Sequence, residues 1–193
     1  MPQVKYTDVK GLHQVSGTGI LFDQDLGQTW GAGAIGDGVS PKAFRRTENG
    51  VIITTIKIDV SGLAQKGDAA NDVIGLAAGG AAYLYRNVVA NNGVLFRAEI
   101  ACIEALGQGT ATISTDIDIA FNSSAILAYD GAAGAAEINT AGFANAGKVV
   151  VAEDLNLTDN DYLYLVEGDT TASTGVFNAG QFIITLYGHA VLT

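Results

Sequence analysis

The chain of 193 residues has the length of one domain. Its 10 lysines and arginines against 20 aspartates and glutamates give a net charge of -10, which argues against nucleic acid and anionic membranes as partners. The single cysteine, Cys102, excludes an intramolecular disulfide, and no apolar run is long enough to predict a membrane-spanning helix.

Residues 1–48 are predicted to form an extended, glycine-rich arm. Eight glycines between residues 11 and 38 interrupt every potential strand or helix. Such an arm buries too little apolar surface to order itself alone, so we expect it to lie against its own domain or a neighbouring molecule. Residues 49–193 are predicted to form the folded domain.

From Val51 the sequence alternates with a period of two, which is typical of a half-buried strand. One face of this strand carries Ile52, Thr54, Ile56, Ile58 and Val60. Residues 72–78 then predict a short helix, which Gly79 and Gly80 end.

Strands at 83–86 and 94–103 are predicted to form a hairpin. The segment 91–93 between them reads Asn-Asn-Gly, and an Asn-Gly step tolerates the positive φ of a tight turn. The second strand alternates so that Cys102 points into the core, on a face shared with Val94, Phe96, Ala98 and Ile100.

Further strands are predicted at 110–121, 148–152, 162–166 and 181–192, with loop over most of 122–147. In the first of them Ile117 and Ile119 face the core, while Asp116 and Asp118 face solvent. Seven or eight short strands with polar turns predict an all-β fold, an antiparallel β-sandwich of the jelly-roll-like kind.

Gly31, Gly33 and Gly36 have the G-x-G-x-x-G spacing of a dinucleotide-binding loop. In that motif a strand comes before the glycines and a helix after them, and this sequence predicts neither. We therefore interpret the glycines as part of the arm and predict no cofactor.

Residues 154–161 place Asp and Asn side chains at alternating positions, as a calcium-binding loop does. An EF-hand requires Gly at the sixth position and Glu at the twelfth, where this chain has Asp159 and Leu165. A turn whose side chains bond to the local backbone is favoured. An irregular calcium site stays open as the alternative.

No catalytic residue and no other metal site are predicted. Asp116 and Asp118 have the chemistry of a glycosidase pair, but their alternation favours a solvated face. His13 and His189 are too few and too scattered for a zinc site, and no G-x-S-x-G motif occurs. Cys102 is expected to be a core residue and not a reactive thiolate.

The aromatic residues are the candidate partner contacts. Tyr83 and Tyr85 form one pair on a strand, Tyr162 and Tyr164 form another, and Trp30 lies in the arm. Such rings can stack on a sugar or a partner protein, whereas the structural alternative is cross-strand packing within the sheet.

The chain resembles small structural proteins of tailed bacteriophages, particularly marine podovirus-like phages. The resemblance covers about residues 70 to 190 and lies in the segments 79–84, 92–96, 101–104, 116–119, 160–166 and 179–188. It implies a virion component that is made in the host cytoplasm, binds the major capsid protein and decorates or cements the capsid exterior. It implies no catalytic residue.

Three functions follow in order of preference. The first is a capsid decoration protein that docks through its arm and forms homo-oligomers, with a trimer favoured, because a chain rich in Gly and Ala makes a marginal monomer. The second is a carbohydrate- or host-receptor-binding module that uses the tyrosines. The third, a hydrolase, depends only on Asp116 and Asp118.

Overall fold

A computed structural model describes residues 29–108, 113–143, 145–155, 157–168 and 174–189 of the chain. Of Gln108 it describes the backbone alone. Before residue 29 it describes only an antiparallel pair of strands, β1 (Gln3–Thr7) and β2 (Gly11–Ser16), without their side chains. The predictions made for the His13 side chain and for most of the arm therefore fall on parts of the chain that the structure does not describe.

Nearly all regular structure is β-strand. The strands are β3 (Lys42–Glu48), β4 (Val51–Asp59), β5 (Ala64–Gln65), β6 (Tyr85–Arg86), β7 (Val94–Gln108), β8 (Ile117–Asn122), β9 (Ala136–Ile138), β10 (Val149–Glu153), β11 (Tyr162–Glu167) and β12 (Gly175–His189). A 3-10 turn at Ala32–Ala34 and a four-residue helix, α1 (Val89–Asn92), complete the described elements.

Two antiparallel sheets form the sandwich. The large sheet has the order β10-β7-β12-β4-β3, with β5 paired to one end of β12. The small sheet has the order β6-β11-β8-β9. The prediction of an all-β antiparallel sandwich is confirmed, while the jelly-roll connectivity stays a prediction.

The core lies between the sheets and follows from the period-two patterns. On β12, Phe182, Ile184 and Leu186 are fully buried, and the residues between them are partly exposed. Cys102 is buried in the same core, as predicted. Each fully buried large aliphatic or aromatic side chain contributes about 1.5–3 kcal/mol to folding, so this interior is the main source of stability.

The small sheet is buried on both faces. Leu163 and Leu165 of β11 face the main core, while Tyr164 and Val166 enter a second cluster on the other side. This cluster also contains Val73, Ala82, Ala120 and Ala133. The connecting segments around residues 73–82 and 133 therefore cover the sheet face that a simple sandwich leaves to solvent.

The predicted domain boundary after residue 48 is wrong. β3 pairs with β4 along its whole length, from Lys42 opposite Lys57 to Glu48 opposite Val51. Before β3, Ala34 is buried in the main core. Residues 29–48 are therefore part of the sandwich.

The predicted hairpin is also wrong. β6 pairs with β11, whereas β7 pairs with β12 and β10. The Asn-Gly step ends helix α1 instead, with Gly93 at a φ of 70°. Fifteen-residue β7 gains more backbone pairing from the equally long β12 than from two-residue β6, so tertiary pairing overrides the local turn preference.

The helix predicted at 72–78 is absent. Asp72, Val73 and Gly75 instead form isolated antiparallel bridges with residues distant in the sequence. Within the part of the chain that the structure describes, no helix has the length and apolar character needed to cross a bilayer.

The three glycines of the G-x-G-x-x-G segment allow close backbone packing. Gly31 and Gly33 donate backbone hydrogen bonds to the carbonyl groups of Tyr83 and Ala81. A Cβ at Gly31 would lie 1.9 Å from the Ala81 oxygen, and one at Gly36 would lie 2.0 Å from the Ser61 oxygen. The spacing therefore serves packing in this fold.

We predict that Gly31→Ala destabilises the protein by about 1–3 kcal/mol, because the new methyl group meets a fixed backbone oxygen. Chemical denaturation followed by circular dichroism measures the change. Gly80→Ala is the matched control, since a Cβ there has no atom within 4 Å and its effect is expected to lie within about 1 kcal/mol. Equal stability of the two variants would contradict this account of the segment.

Candidate functional site

Two of the candidate tyrosines are interior residues. The Tyr85 hydroxyl donates to the Asn92 Oδ1 atom at 2.6 Å, and the Tyr164 hydroxyl donates to the Ser124 carbonyl at 2.6 Å. Both side chains are fully buried, and this burial raises the pKa of Tyr164 to about 12. Their assignment as partner contacts is wrong, because each strand they occupy is covered on that face.

Tyr83 and Tyr162 lie closer to the surface. Their rings meet edge to face, with centroids 5.0 Å apart, and the Arg86 guanidinium lies 5.6 Å from the Tyr162 centroid. We call Tyr83, Arg86 and Tyr162 the tyrosine patch. Both rings are half-buried, as is Trp30, so this patch is the part of the predicted aromatic site that remains accessible.

The outer face of the large sheet exposes a row of apolar side chains. Val94, Phe96, Ile103, Val149 and Val151 are each between 41% and 53% exposed. We call these five residues the outer apolar face. They belong to β7 and β10, and Val149 lies directly opposite Ala101. The prediction that Val94 and Phe96 share the buried face of Cys102 is wrong. The pairing of β7 with β12 shifts register between Leu95 and Arg97, so simple alternation does not hold across this point.

A shallow hollow lies on the same outer face of the large sheet, at the β3–β4 edge. Its volume is about 340 Å³, and its lining residues are Phe44, Arg45, Arg46, Ile53 and Thr55. Arg97 stacks on the Tyr187 ring nearby, with 5.4 Å between the guanidinium carbon and the ring centroid. The floor of the hollow is apolar and its rim carries cations.

An acidic cluster lies at one end of the small sheet. In the described part of the chain, carboxylate oxygens of Asp68, Asp72 and Asp130 lie within 4.8 Å of one another. The Lys66 ammonium bonds to Asp130 at 2.6 Å and to Asp68 at 3.2 Å, and these bonds raise its pKa. The cluster therefore contains its own counter-ion. Sequence reasoning missed it because Asp130 is distant from the others along the chain.

Glu167 fixes the loop that carries this cluster. Its buried carboxylate accepts backbone N–H bonds from Lys66 at 2.5 Å and Gly67 at 2.8 Å. Burial raises the pKa of Glu167, while these two bonds oppose the increase. The arrangement joins the end of β11 to the residues after β5, so its evident role is structural.

The two aspartates proposed for hydrolysis bind the backbone. Asp118 is buried, contrary to prediction, and accepts the Thr140 N–H at 2.7 Å. Asp116 accepts the Gly142 N–H at 2.7 Å. Both carboxylates therefore hold the loop after β9, which gives the hydrolase hypothesis no support.

The remaining predicted candidates also make structural contacts. Asp161 accepts the backbone N–H of Thr158 at 2.9 Å, and Asp159 accepts that of Val89 at 2.8 Å. The Asp161 bond is of the local kind that the turn interpretation predicted, whereas Asp159 bonds to a residue 70 positions earlier in the chain. His189 stacks on Phe96 with 6.2 Å between ring centroids, and burial raises the pKa of the Cys102 thiol.

Asp72 provides a test of the electrostatics of the cluster. Burial, followed by repulsion from Asp130 and Asp68, raises its pKa. At pH values above this raised pKa Asp72 is ionised, and its charge lowers the free energy of unfolding. The penalty disappears at pH values below about 3.9, the ordinary pKa of an aspartate, because Asp72 is then protonated in both the folded and the unfolded state. We predict that Asp72→Asn is more stable than the wild type at pH 7, and that the difference vanishes at pH 3.5.

Urea unfolding at both pH values measures this difference. Glu104→Gln is the control, because it removes one negative charge at an exposed position on β7. An Asp72→Asn variant that is less stable than the wild type at pH 7 would contradict the proposed penalty.

Comparison of the chain with family models, with curated protein sequences and with solved structures finds no match in any of the three.

Proposed function

We propose that this chain is a structural protein of a tailed-phage virion, which binds the major capsid protein from outside and decorates or cements the shell. The observation that carries the proposal is the outer apolar face. Several exposed apolar side chains on one face of a sheet favour a protein partner, because extended apolar surfaces on soluble proteins commonly mark interaction sites. The sequence resemblance to phage structural proteins agrees with this role.

The charge of the chain limits the kind of contact. With 10 basic residues against 20 acidic ones, the protein has few cations for an electrostatic attachment. Apolar contacts such as those available to Phe96 and Ile103 depend little on charge. Weak contacts repeated over many copies on a shell then add up through avidity.

The fold limits which N-terminal residues can serve as an attachment arm. Residues 29–48 belong to the sandwich, so removing residues 1–48 would delete β3 from the large sheet. Removing residues 1–28 is the appropriate test of an attachment role for the N-terminal segment. The outer apolar face is the second attachment surface to test.

We predict that Ile103→Lys weakens shell binding about tenfold or more, since burying an isoleucine contributes about 1.5–3 kcal/mol. The measurement is the occupancy of the variant on purified particles that lack the native protein. Ile126→Lys is the matched control, because Ile126 is 81% exposed and lies outside the outer apolar face. Wild-type occupancy of Ile103→Lys would reject this face as the attachment surface.

Virion membership is tested separately. Mass spectrometry of purified particles is expected to detect the chain in many copies. Its absence from particles would reject the proposed function whatever the variants show.

A second candidate function depends on the tyrosine patch. Tyr83 and Tyr162 present half-buried rings beside the Arg86 guanidinium, a combination that suits a sugar ring with its hydroxyl groups. A carbohydrate- or host-receptor-binding module of a virion fibre or knob would use this patch.

We predict for this second candidate that Tyr162→Ala abolishes binding on a glycan array, because the ring is the stacking surface. Tyr187→Ala is the control, since Tyr187 is a partly exposed tyrosine on the large sheet. Failure of the wild type to bind any glycan in the array would contradict this candidate and leave the capsid proposal unaffected.

A further inference from the structure

We propose that copies of this chain join through the two edges of the large sheet, with β3 of one copy pairing in parallel with β10 of the next. This inference rests on the proposed role as an assembling structural protein. It concerns the contact between copies and leaves the contact with the shell unchanged.

Both edges have backbone groups available for pairing. Among the described residues, β3 pairs with β4 alone and β10 pairs with β7 alone. An edge strand presents a row of N–H and C=O groups that can extend the sheet into another chain. Val149 and Val151 make β10 a largely apolar edge, with a single charged side chain at its end, where several charges commonly prevent such pairing.

The two edges have opposite charge. β3 contains Lys42, Arg45 and Arg46, three of the ten basic residues of the chain, and one acid, Glu48. On β10 the only charged residue is the exposed Glu153. Joining β3 to a second β3 brings cations together, whereas joining β3 to β10 brings cations to an acid and valines. Charge complementarity therefore favours contact between unlike edges.

The topology sets the direction of the contact. Each neighbouring pair in the order β10-β7-β12-β4-β3 is antiparallel, and four antiparallel steps return to the starting direction. β3 and β10 therefore run the same way. A rotation that continues the sheet into the next copy keeps this direction and keeps the outer face outward, so the new pair is parallel.

The register proposed for this contact continues the rows of directly opposed residues that cross the sheet. One row runs through Phe44, Thr55, Thr185, Glu99 and Val151. The next runs through Arg46, Ile53, Tyr187, Arg97 and Glu153. Continuing each row into the next copy places Phe44 beside Val151 and Arg46 beside Glu153. The contact thus gains an apolar pair and an ion pair on one face.

Arg46 and Phe44 are both available for this contact. The existing ion pair between Arg46 and Glu48 is 3.5 Å long, and both of its side chains are more than 60% exposed. An exposed pair of this kind contributes little, so Arg46 can exchange it for Glu153 of another copy. The 340 Å³ hollow is lined by Phe44 and Arg46 and offers space for side chains of the joining edge.

A contact between unlike edges is heterologous. It generates a closed ring where the rotation closes and an open filament where it does not. A ring uses both edges of every copy and leaves no free β10 edge in solution. The trimer predicted from the sequence is one such ring.

Paired cysteines test the contact directly. In the Phe44→Cys/Val151→Cys double variant, the new thiols of adjacent copies would lie on neighbouring strands, within the separation that a disulfide spans. Oxidation is expected to give covalent oligomers on non-reducing gels, with the closed ring as the end product. Native Cys102 is buried, and the wild type is the background control.

The single variants distinguish the alternatives. Neither is expected to cross-link alone, and a mixture of the two is expected to give dimers only. Cross-linking of Phe44→Cys alone would indicate contact between two β3 edges. Cross-linking of Val151→Cys alone would indicate contact between two β10 edges. Either result, or no cross-linking of the double variant, would overturn the inference.

A charge exchange gives a second test that needs no oxidation. Arg46→Glu and Glu153→Arg are each expected to weaken self-association about fivefold in sedimentation velocity, and the double variant is expected to recover it. Glu104→Arg, an exposed change on β7, is the control. Single variants that associate like the wild type, or a double variant without recovery, would contradict the pairing.

The edge contact and the proposed virion role can fail independently of each other. Particles that contain a chain whose cysteines do not cross-link would refute the edge contact and retain the virion role. Cross-linking of a chain that is absent from particles would do the reverse.

Discussion

The pairing of β12 between β7 and β4 is the constraint on which the rest of the structure depends. From Gln181 to His189 β12 is paired with both neighbours, and Ile184 lies opposite Ile56 on one side and Ile100 on the other. Because successive side chains point to opposite faces, a slip of one residue would expose Phe182 and bury the residues now outside. The register of β12 against β4 and β7 therefore determines both which residues form the core and which residues form the outer apolar face.

The sequence predicted those parts of the fold that depend on local alternation. The strands at β4, β7, β10, β11 and β12 and the burial of Cys102 follow from period-two patterns, which record only which face is apolar. Local alternation does not show which strand pairs with which. β7 bonds to β12, about 80 residues away along the chain, and no local pattern encodes that choice. The Asn-Gly step at 92–93 was misread for this reason.

The errors at β3 and β8 have a related cause. β3 follows a run of glycines, and the composition of that run concealed a strand in which three basic residues alternate poorly with apolar ones. In β8, alternation placed Asp118 in solvent, but the small sheet is covered on both faces. A carboxylate can occupy such a covered face because the Thr140 N–H satisfies it. The acidic cluster around Lys66 joins residues 66–72 to the distant Asp130, so sequence spacing could not predict it.

The position of β12 in the large sheet has a consequence for folding during synthesis. Gln181 pairs with Asp59, 122 residues earlier, and β7 and β4 are held on opposite sides of β12 without pairing to each other. The large sheet therefore cannot close until residues 175–189 have left the ribosome. Until then β4 can pair only with β3 and β7 only with β10, so each pair has one open apolar edge, which is the condition under which nascent chains recruit chaperones or aggregate.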